Sequence, residues 1–144
     1  MSTSVRLNSV APDLVNLGAG LSPKDRRAMA FRVARWACKK TDVLSYLEKY
    51  NLTALDGYSW QQTEGECRLL SNEIEELDEK YFLTQDERLD GPSSSESLRW
   101  FSKARALSSL QHALESQSIE AFCDALYEAH AATDDLAGLR QACL

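Results

Sequence analysis

Residues 67–83, CRLLSNEIEELDEKYFL, decide the fold of this chain. At 100° per residue, apolar side chains recur on one side of a helix drawn through this stretch. They are Cys67, Leu70, Ile74, Leu77 and Tyr81. The opposite side is polar and mostly acidic, and holds Glu64, Arg68, Asn72, Glu75, Glu76 and Glu79. The pattern predicts an amphipathic helix over residues 60–83, with one face on a core and the other in water.

Three further segments show helical periodicity. The segments over residues 100–114 and 119–129 each carry one apolar stripe wide enough to seal a core. The segment over residues 23–40 is apolar on two sides, and a thin stripe runs between them: Lys24, Ala28, Arg32, Arg35 and Lys39. We therefore expect the helix over residues 23–40 at the middle of the bundle, exposing only this stripe.

Capping residues predict where the helices begin and end. Ser22, Pro23 and Asp25 open the helix that runs to about Lys40, and Ser118 opens one through Ala132. Ser9 is predicted to begin a short helix that Gly18 ends in a left-handed conformation, and a further helix is predicted over residues 43–50. A new helical turn is predicted to begin at Thr84. Ser93 is predicted to open a helix to Glu115, and Asp134 or Asp135 a last short helix.

These segments predict an all-α fold, a single irregular bundle of five to seven helices. Residues 1–8 are predicted to be a flexible N-terminal tail and residues 9–144 a single helical domain. Gly and Pro are scarce, at six and three residues, which disfavours a β fold dense in turns. No apolar run approaches the ~20 residues that span a bilayer, and the N-terminus lacks a convincing signal peptide. We expect a cytoplasmic protein that does not bind membranes.

No residue pattern in the chain indicates catalysis, a metal or a cofactor. The four cysteines lack the close spacing of zinc ligands, and Cys143 is expected to be an exposed, inert thiol. His112 and His130 have no carboxylate or cysteine at ligand spacing. A GxSxG motif and a Gly-rich phosphate loop are both missing from the sequence. The sequence predicts a protein that is not an enzyme.

Charge is segregated along the chain. Residues 1–50 carry nine Lys/Arg against four Asp/Glu, whereas residues 51–97 carry three against twelve. Either the basic stripe neutralises the acidic helix inside the fold, or an acidic surface is offered to a basic partner. The net charge of −6 opposes binding to nucleic acid, because phosphates are repelled.

The candidate binding residues lie on and beside the acidic helix. Glu75 and Glu79 repel each other at i,i+4, where a helix built for stability would place a lysine. Tyr58, Trp60, Tyr81 and Phe82 are aromatic residues that could anchor a partner or plug the end of the bundle. The predicted partner-binding set is Tyr58, Trp60, Glu64, Glu75, Glu76, Glu79, Asp86 and Glu87.

Three segments carry a resemblance to a known class of protein. They are LSPKDRRAMAFRVARWACKKT (21–41), FSKARALSSLQHALE (101–115) and AFCDALYEAHAATDD (121–135). They resemble small helical bacterial immunity proteins, which protect a cell from a cognate polymorphic or contact-delivered toxin. The resemblance implies a non-enzymatic inhibitor that blocks a toxin by surface complementarity, and it assigns no binding residue.

The sequence therefore predicts a protein-binding module that occludes a cognate toxin, a basic toxin domain being the expected partner, through its acidic helix. Two alternatives stay open. One is a self-associating structural or regulatory module, in which the two apolar faces of residues 23–40 complete a dimer core. The other is a small helical enzyme or ligand carrier whose site is assembled across helices. A monomer and a homodimer are both compatible with the sequence.

Overall fold

The computed structural model describes residues 4–43, 64–86, 95–114 and 118–144. Within these ranges the chain forms seven helices and no strand, which confirms the all-α prediction. The helices are α1 (Ser4–Val10), α2 (Pro12–Ala19), α3 (Pro23–Lys40), α4 (Glu64–Asp86), α5 (Ser95–Leu114), α6 (Ile119–Thr133) and α7 (Leu136–Ala142).

Helix α6 is the centre of the bundle. It packs against α1, α2, α3, α5 and α7, and nine of its 15 residues are buried. Four of those nine are alanines, whose small side chains let several neighbours approach the backbone closely. Helix α3 packs on α5, α6 and α7 and exposes its basic stripe, as predicted, but the middle of the bundle is α6 and not the helix over residues 23–40.

Helix α4 lies at the edge of the bundle. Its extensive contacts with other described helices are all with α5, and α5 in turn packs on α3 and α6. Leu70 and Leu77 of α4 are buried in the common core, and Ile74 and Tyr81 are half-buried beside it. The side of α4 away from α5 is consequently exposed.

The predicted caps of α3 and α6 are confirmed. The Ser22 hydroxyl accepts a hydrogen bond from the Asp25 N–H at 3.1 Å, and the Ser118 hydroxyl accepts one from the Ala121 N–H at 3.1 Å. At α7 the cap is Asp135, whose carboxylate accepts from the Gly138 N–H at 2.9 Å. A hydrogen bond from the Lys40 ammonium, together with that from Gly138, holds the pKa of Asp135 below its usual value.

Other predicted boundaries differ from the structure. From Ser4 onward the chain is helical where the sequence predicted a loose tail, because Leu7 is fully buried. The predicted new turn at Thr84 is wrong, since α4 continues to Asp86. The predicted helix over residues 43–50 and the cap at Ser93 fall outside the described residues, apart from Val43, which is buried.

Gly18 packs against α6 instead of ending a helix. It lies inside α2, is buried, and faces the ring of Phe122. A Cβ atom on Gly18 would lie 2.6 Å from Cδ2 of that ring and closer still to Cε2. The predicted left-handed glycine is therefore wrong: this position needs a hydrogen for close helix packing and no special backbone conformation.

We expect Gly18→Ala to lower the free energy of unfolding by about 1–2 kcal/mol. The clash of the new methyl group with the Phe122 ring costs more free energy than the higher helix propensity of alanine contributes. Urea denaturation measures the change. Gly20→Ala is the matched control, since a Cβ there would meet only Leu17 and Asn16 carbonyl oxygens, at 3.7 and 3.8 Å. Equal stability of the two variants would contradict this account of Gly18.

Three cysteines are free, buried thiols: Cys38, Cys123 and Cys143. Cys143 is only 4% exposed, so the prediction of an exposed thiol is wrong. It is covered because Arg32 of α3 donates hydrogen bonds to the carbonyl oxygens of Ala142 and Cys143, at 2.8 and 3.2 Å. Burial raises the pKa of Cys38 to about 12 and those of Cys123 and Cys143 to about 11.

These three thiols should resist alkylation in the native state. A pKa of about 12 leaves about one Cys38 thiolate in ten thousand at pH 8, and the thiolate is the reactive form. Iodoacetamide labelling followed by peptide mapping should find Cys38, Cys123 and Cys143 modified only in urea. Rapid native labelling of Cys143 would show that the C-terminus is not held against α3.

Candidate protein-binding surface

Helix α4 is attached to α5 by polar as well as apolar contacts. The Arg105 guanidinium of α5 donates two hydrogen bonds to the Asp78 carboxylate, at 2.9 and 3.1 Å. About two helical turns before Asp78 in α4, the Ser71 hydroxyl accepts a hydrogen bond from the Gln111 amide at 2.6 Å. Both hydrogen bonds to Asp78 come from the Nη2 nitrogen of Arg105, and they place the Asp78 carboxylate on the side of α4 that faces α5.

Aromatic rings of α5 hold the other end of the contact. The rings of Tyr81 and Phe101 lie 5.4 Å apart between centroids. The Lys80 ammonium lies 4.9 Å from the centroid of the Trp100 ring, within the range of a cation–π contact. Together with the buried leucines, these contacts set both the position of α4 and its rotation about its own axis.

The Asp78–Arg105 pair is the first link in a chain of alternating charges. The same guanidinium lies 3.4 Å from the buried Glu128 carboxylate of α6. Arg6 of α1 lies 4.0 Å from Glu128 and 3.1 Å from the buried Asp124 carboxylate, with its guanidinium 4.4 Å from the centre of the Tyr127 ring. Each buried carboxylate of α6 thus has a cation beside it, as buried charges require.

The rotation of α4 divides its acidic residues into two groups. Glu73 is buried and Asp78 faces Arg105, whereas Glu75, Glu76 and Glu79 are exposed. None of these three exposed glutamates makes an ion pair or a side-chain hydrogen bond with the described parts of the chain. Three carboxylates therefore stand on the outer face of α4 without a counter-charge from the described residues.

Two large apolar side chains continue the same outer face. Phe82 is 63% exposed and Leu83 54% exposed. At 100° per residue the exposed positions other than Lys80 share an arc of about 120° on the helix. Lys80, whose ammonium lies over the Trp100 ring, borders this arc. We refer to them as the α4 outer face: Asn72, Glu75, Glu76, Glu79, Phe82 and Leu83.

The basic stripe of α3 does not neutralise this face. Arg32 bonds the C-terminal carbonyls, and Arg35 and Lys39 are exposed. Helix α5 packs on both α3 and α4, and in the part of the chain that the structure describes no α3 cation pairs with Glu75, Glu76 or Glu79. The expectation of internal neutralisation is therefore wrong for these three glutamates.

The remaining predicted binding residues are placed less fully. Glu64 and Asp86 are the first and last residues of α4, about 33 Å apart along the helix axis, and their side chains are outside the description. Tyr58, Trp60 and Glu87 lie outside the described residues. The structure thus brings together three of the eight predicted residues, Glu75, Glu76 and Glu79.

The histidines lie elsewhere, on α5 and α6. His130 borders an open groove of about 470 Å³ between these helices, together with Phe101, Tyr127 and Asp134. Its Nδ1 is buried and has no hydrogen-bond partner among the described residues. Among the described residues no group of three or more His, Cys, Asp and Glu side chains could hold a metal ion, and no helix is long and apolar enough to cross a membrane.

Two features of α4 and its surroundings are not predicted from the sequence. Leu83 was assigned to the end of its helix, although it is an exposed part of a helix that continues for three more residues. The charge chain has no local signal in the sequence, because its partners are 23 to 122 positions apart. A signal for Leu83 did exist, since it lies seven residues after Glu76 on the polar side of the helix.

Comparison with known proteins gave no match to a protein family, to a curated protein or to a solved structure.

Arg105→Met should destabilise the protein by about 2–3 kcal/mol, because it leaves Asp78 and the buried Glu128 without their shared cation. Hydrogen exchange should show the loss of protection concentrated in α4 and the facing turns of α5. Arg140→Met is the matched control: it breaks an exposed pair with Asp13 and should cost much less. Similar urea midpoints for the two variants would contradict the role given to Arg105.

Proposed function

We propose that this chain is a non-enzymatic protein-binding module, an immunity-type inhibitor that occludes a cognate bacterial toxin through the acidic face of α4. The observation that carries the proposal is the set of three exposed glutamates, Glu75, Glu76 and Glu79, without a cation from the described residues. The resemblance of residues 21–41, 101–115 and 121–135 to bacterial immunity proteins supports the same class.

Stability does not account for these glutamates. Glu75 and Glu79 are like charges at i,i+4, which costs a helix a few tenths of a kcal/mol. A lysine at either position would remove that repulsion and add an exposed ion pair worth up to about 0.5 kcal/mol. The arrangement is better explained by a second molecule that supplies the positive charge.

Exposed carboxylates act on a partner before contact. They raise the rate of encounter with a cationic protein, and they repel anionic competitors such as nucleic acids. This suits an inhibitor of a toxin domain that is itself basic, since fast capture limits the time for which the toxin is active. Occlusion needs no chemistry from the inhibitor, only a rigid surface of complementary charge and shape.

The position of α4 supports binding by a preformed surface. The helix lies at the edge of the bundle, held by Arg105, Gln111 and the Tyr81–Phe101 contact. A partner can therefore reach its outer face without moving another described helix. A rigid surface loses little conformational entropy on binding, which favours affinity. Tyr58 and Trp60 are proposed as anchors beside this surface on sequence grounds.

The triple variant Glu75→Gln, Glu76→Gln, Glu79→Gln should bind a cognate basic toxin domain, sought in the gene adjacent to that of this chain, at least about ten-fold more slowly at low salt. Its association rate should also depend less on salt, because fewer charges remain to be screened. Stopped-flow fluorescence measures both. Cell survival on expression of the toxin domain reports protection independently.

The matched control removes three exposed carboxylates elsewhere: Asp25→Asn, Asp42→Asn and Asp134→Asn. Asp42 and Asp134 have left-handed backbones, with φ of 63° and 48°, which asparagine also adopts. The control changes net charge equally, so an equal loss of rate in both triple variants would show that total charge matters and α4 does not. Wild-type association that is insensitive to salt would remove electrostatic steering from the proposal.

A further inference from the structure

We infer that Phe82 and Leu83 are the apolar anchor of the α4 outer face, and that its occupant is a cationic amphipathic helix of the partner protein. This inference rests on the proposed function, and it names the part of the partner that docks. Elsewhere in the described chain the large apolar side chains that are exposed are Leu17, at 40%, and the terminal Leu144. Phe82 and Leu83 are thus an adjacent pair, more exposed than Leu17.

The apolar pair has a fixed place beside the charges. Glu75, Glu79 and Phe82 follow one another at spacings of four and three residues, so they form one ridge along α4. Glu76 and Leu83 lie on the neighbouring row. The surface from Glu75 to Leu83 is about 12 Å long, with carboxylates over the first part and apolar side chains at the end. Protein interfaces commonly combine apolar anchors with charged residues beside them.

A helix is the occupant that fits such a surface. Ridges on one helix pack into the grooves of another, and 12 Å corresponds to a little over two helical turns. The described residues contain no strand, so they offer no sheet edge to which an extended peptide could add. The occupant should carry large apolar side chains at one end of a two- to three-turn face and lysines or arginines at the other.

The charges exclude other occupants. Nucleic acid and anionic lipid surfaces are both negatively charged, and the glutamates repel them. A second copy bound through a two-fold axis would bring the same patch from both copies into one interface, and so collect the six carboxylates of Glu75, Glu76 and Glu79 there. The nearby lysine does not supply the missing charge, because the Lys80 ammonium lies over the Trp100 ring at 4.9 Å. A cationic amphipathic helix is complementary both to the carboxylates and to the apolar pair.

The test uses the full chain and a helix-stabilised 14-residue peptide with two leucines and four lysines on one face. In ¹⁵N–¹H spectra the peptide should shift the amide signals of residues 72–83. Phe82→Ser with Leu83→Ser should weaken peptide binding at least about ten-fold, as expected for the loss of an interface anchor. Leu17→Ser, on α2, is the matched control and should leave binding unchanged. A peptide with glutamates in place of the lysines should not bind.

Salt separates the anchor from simple attraction between charges. In 0.5 M NaCl the wild type should retain measurable binding, whereas the Phe82→Ser, Leu83→Ser variant should retain none, because screening removes most of the electrostatic contribution. Equal binding by the serine variant and the wild type would overturn the inference. So would shifts outside α4, or sedimentation showing self-association that the serine substitutions abolish.

Cell survival distinguishes this inference from the proposed function. If the wild-type chain protects cells but no peptide binds at α4, the inference about the anchor is overturned and the proposed function is not. The proposed function would be overturned if the wild-type chain neither protected cells from the cognate toxin domain nor bound it. Reduced protection by the serine variant, with its helical content and urea midpoint unchanged, is the expected result.

Discussion

The contact between Arg105 and Asp78, together with the buried Leu70 and Leu77, decides which side of α4 meets water. Two hydrogen bonds, of 2.9 and 3.1 Å, tie the Asp78 carboxylate to a guanidinium on α5. Successive residues of a helix are 100° apart, so fixing Asp78 also fixes every other side chain of α4. Glu73 is turned inward, and Glu75, Glu76 and Glu79 are turned outward. Without this contact the buried leucines, Leu70 and Leu77, would be left to orient the acidic run.

Arg105 can do this because it serves two carboxylates at once. Its planar fork reaches Asp78 on α4 and Glu128 on α6, and Arg6 supports Glu128 and Asp124 from the other side. Burying a carboxylate costs several kcal/mol unless a cation and hydrogen bonds compensate. The alternation of charges meets that requirement across four helices, and it links the first helix of the chain to the edge helix.

In the proposed complex, the two parts of the α4 outer face act at different stages of binding. Charges act over about a Debye length, so the glutamates mainly affect how fast a partner arrives. Apolar contacts act only at contact, so Phe82 and Leu83 affect how long the partner stays. A surface that combines both binds its partner quickly and releases it slowly, which suits the inhibitor that we propose.

The sequence by itself determined the helices, their main caps and the polar side of α4. Periodicity and capping depend on residues three or four positions apart, which is why Ser22 and Ser118 were assigned correctly. The central position of α6, the burial of Cys143 and the role of Gly18 were decided only by the tertiary structure. So was the division of the acidic run into paired and unpaired groups, because it depends on Arg105, 27 residues beyond Asp78. Helices, caps and polar faces follow from the spacing of neighbouring residues, so the sequence alone predicts them. Contacts between distant segments exist only once the helices have packed.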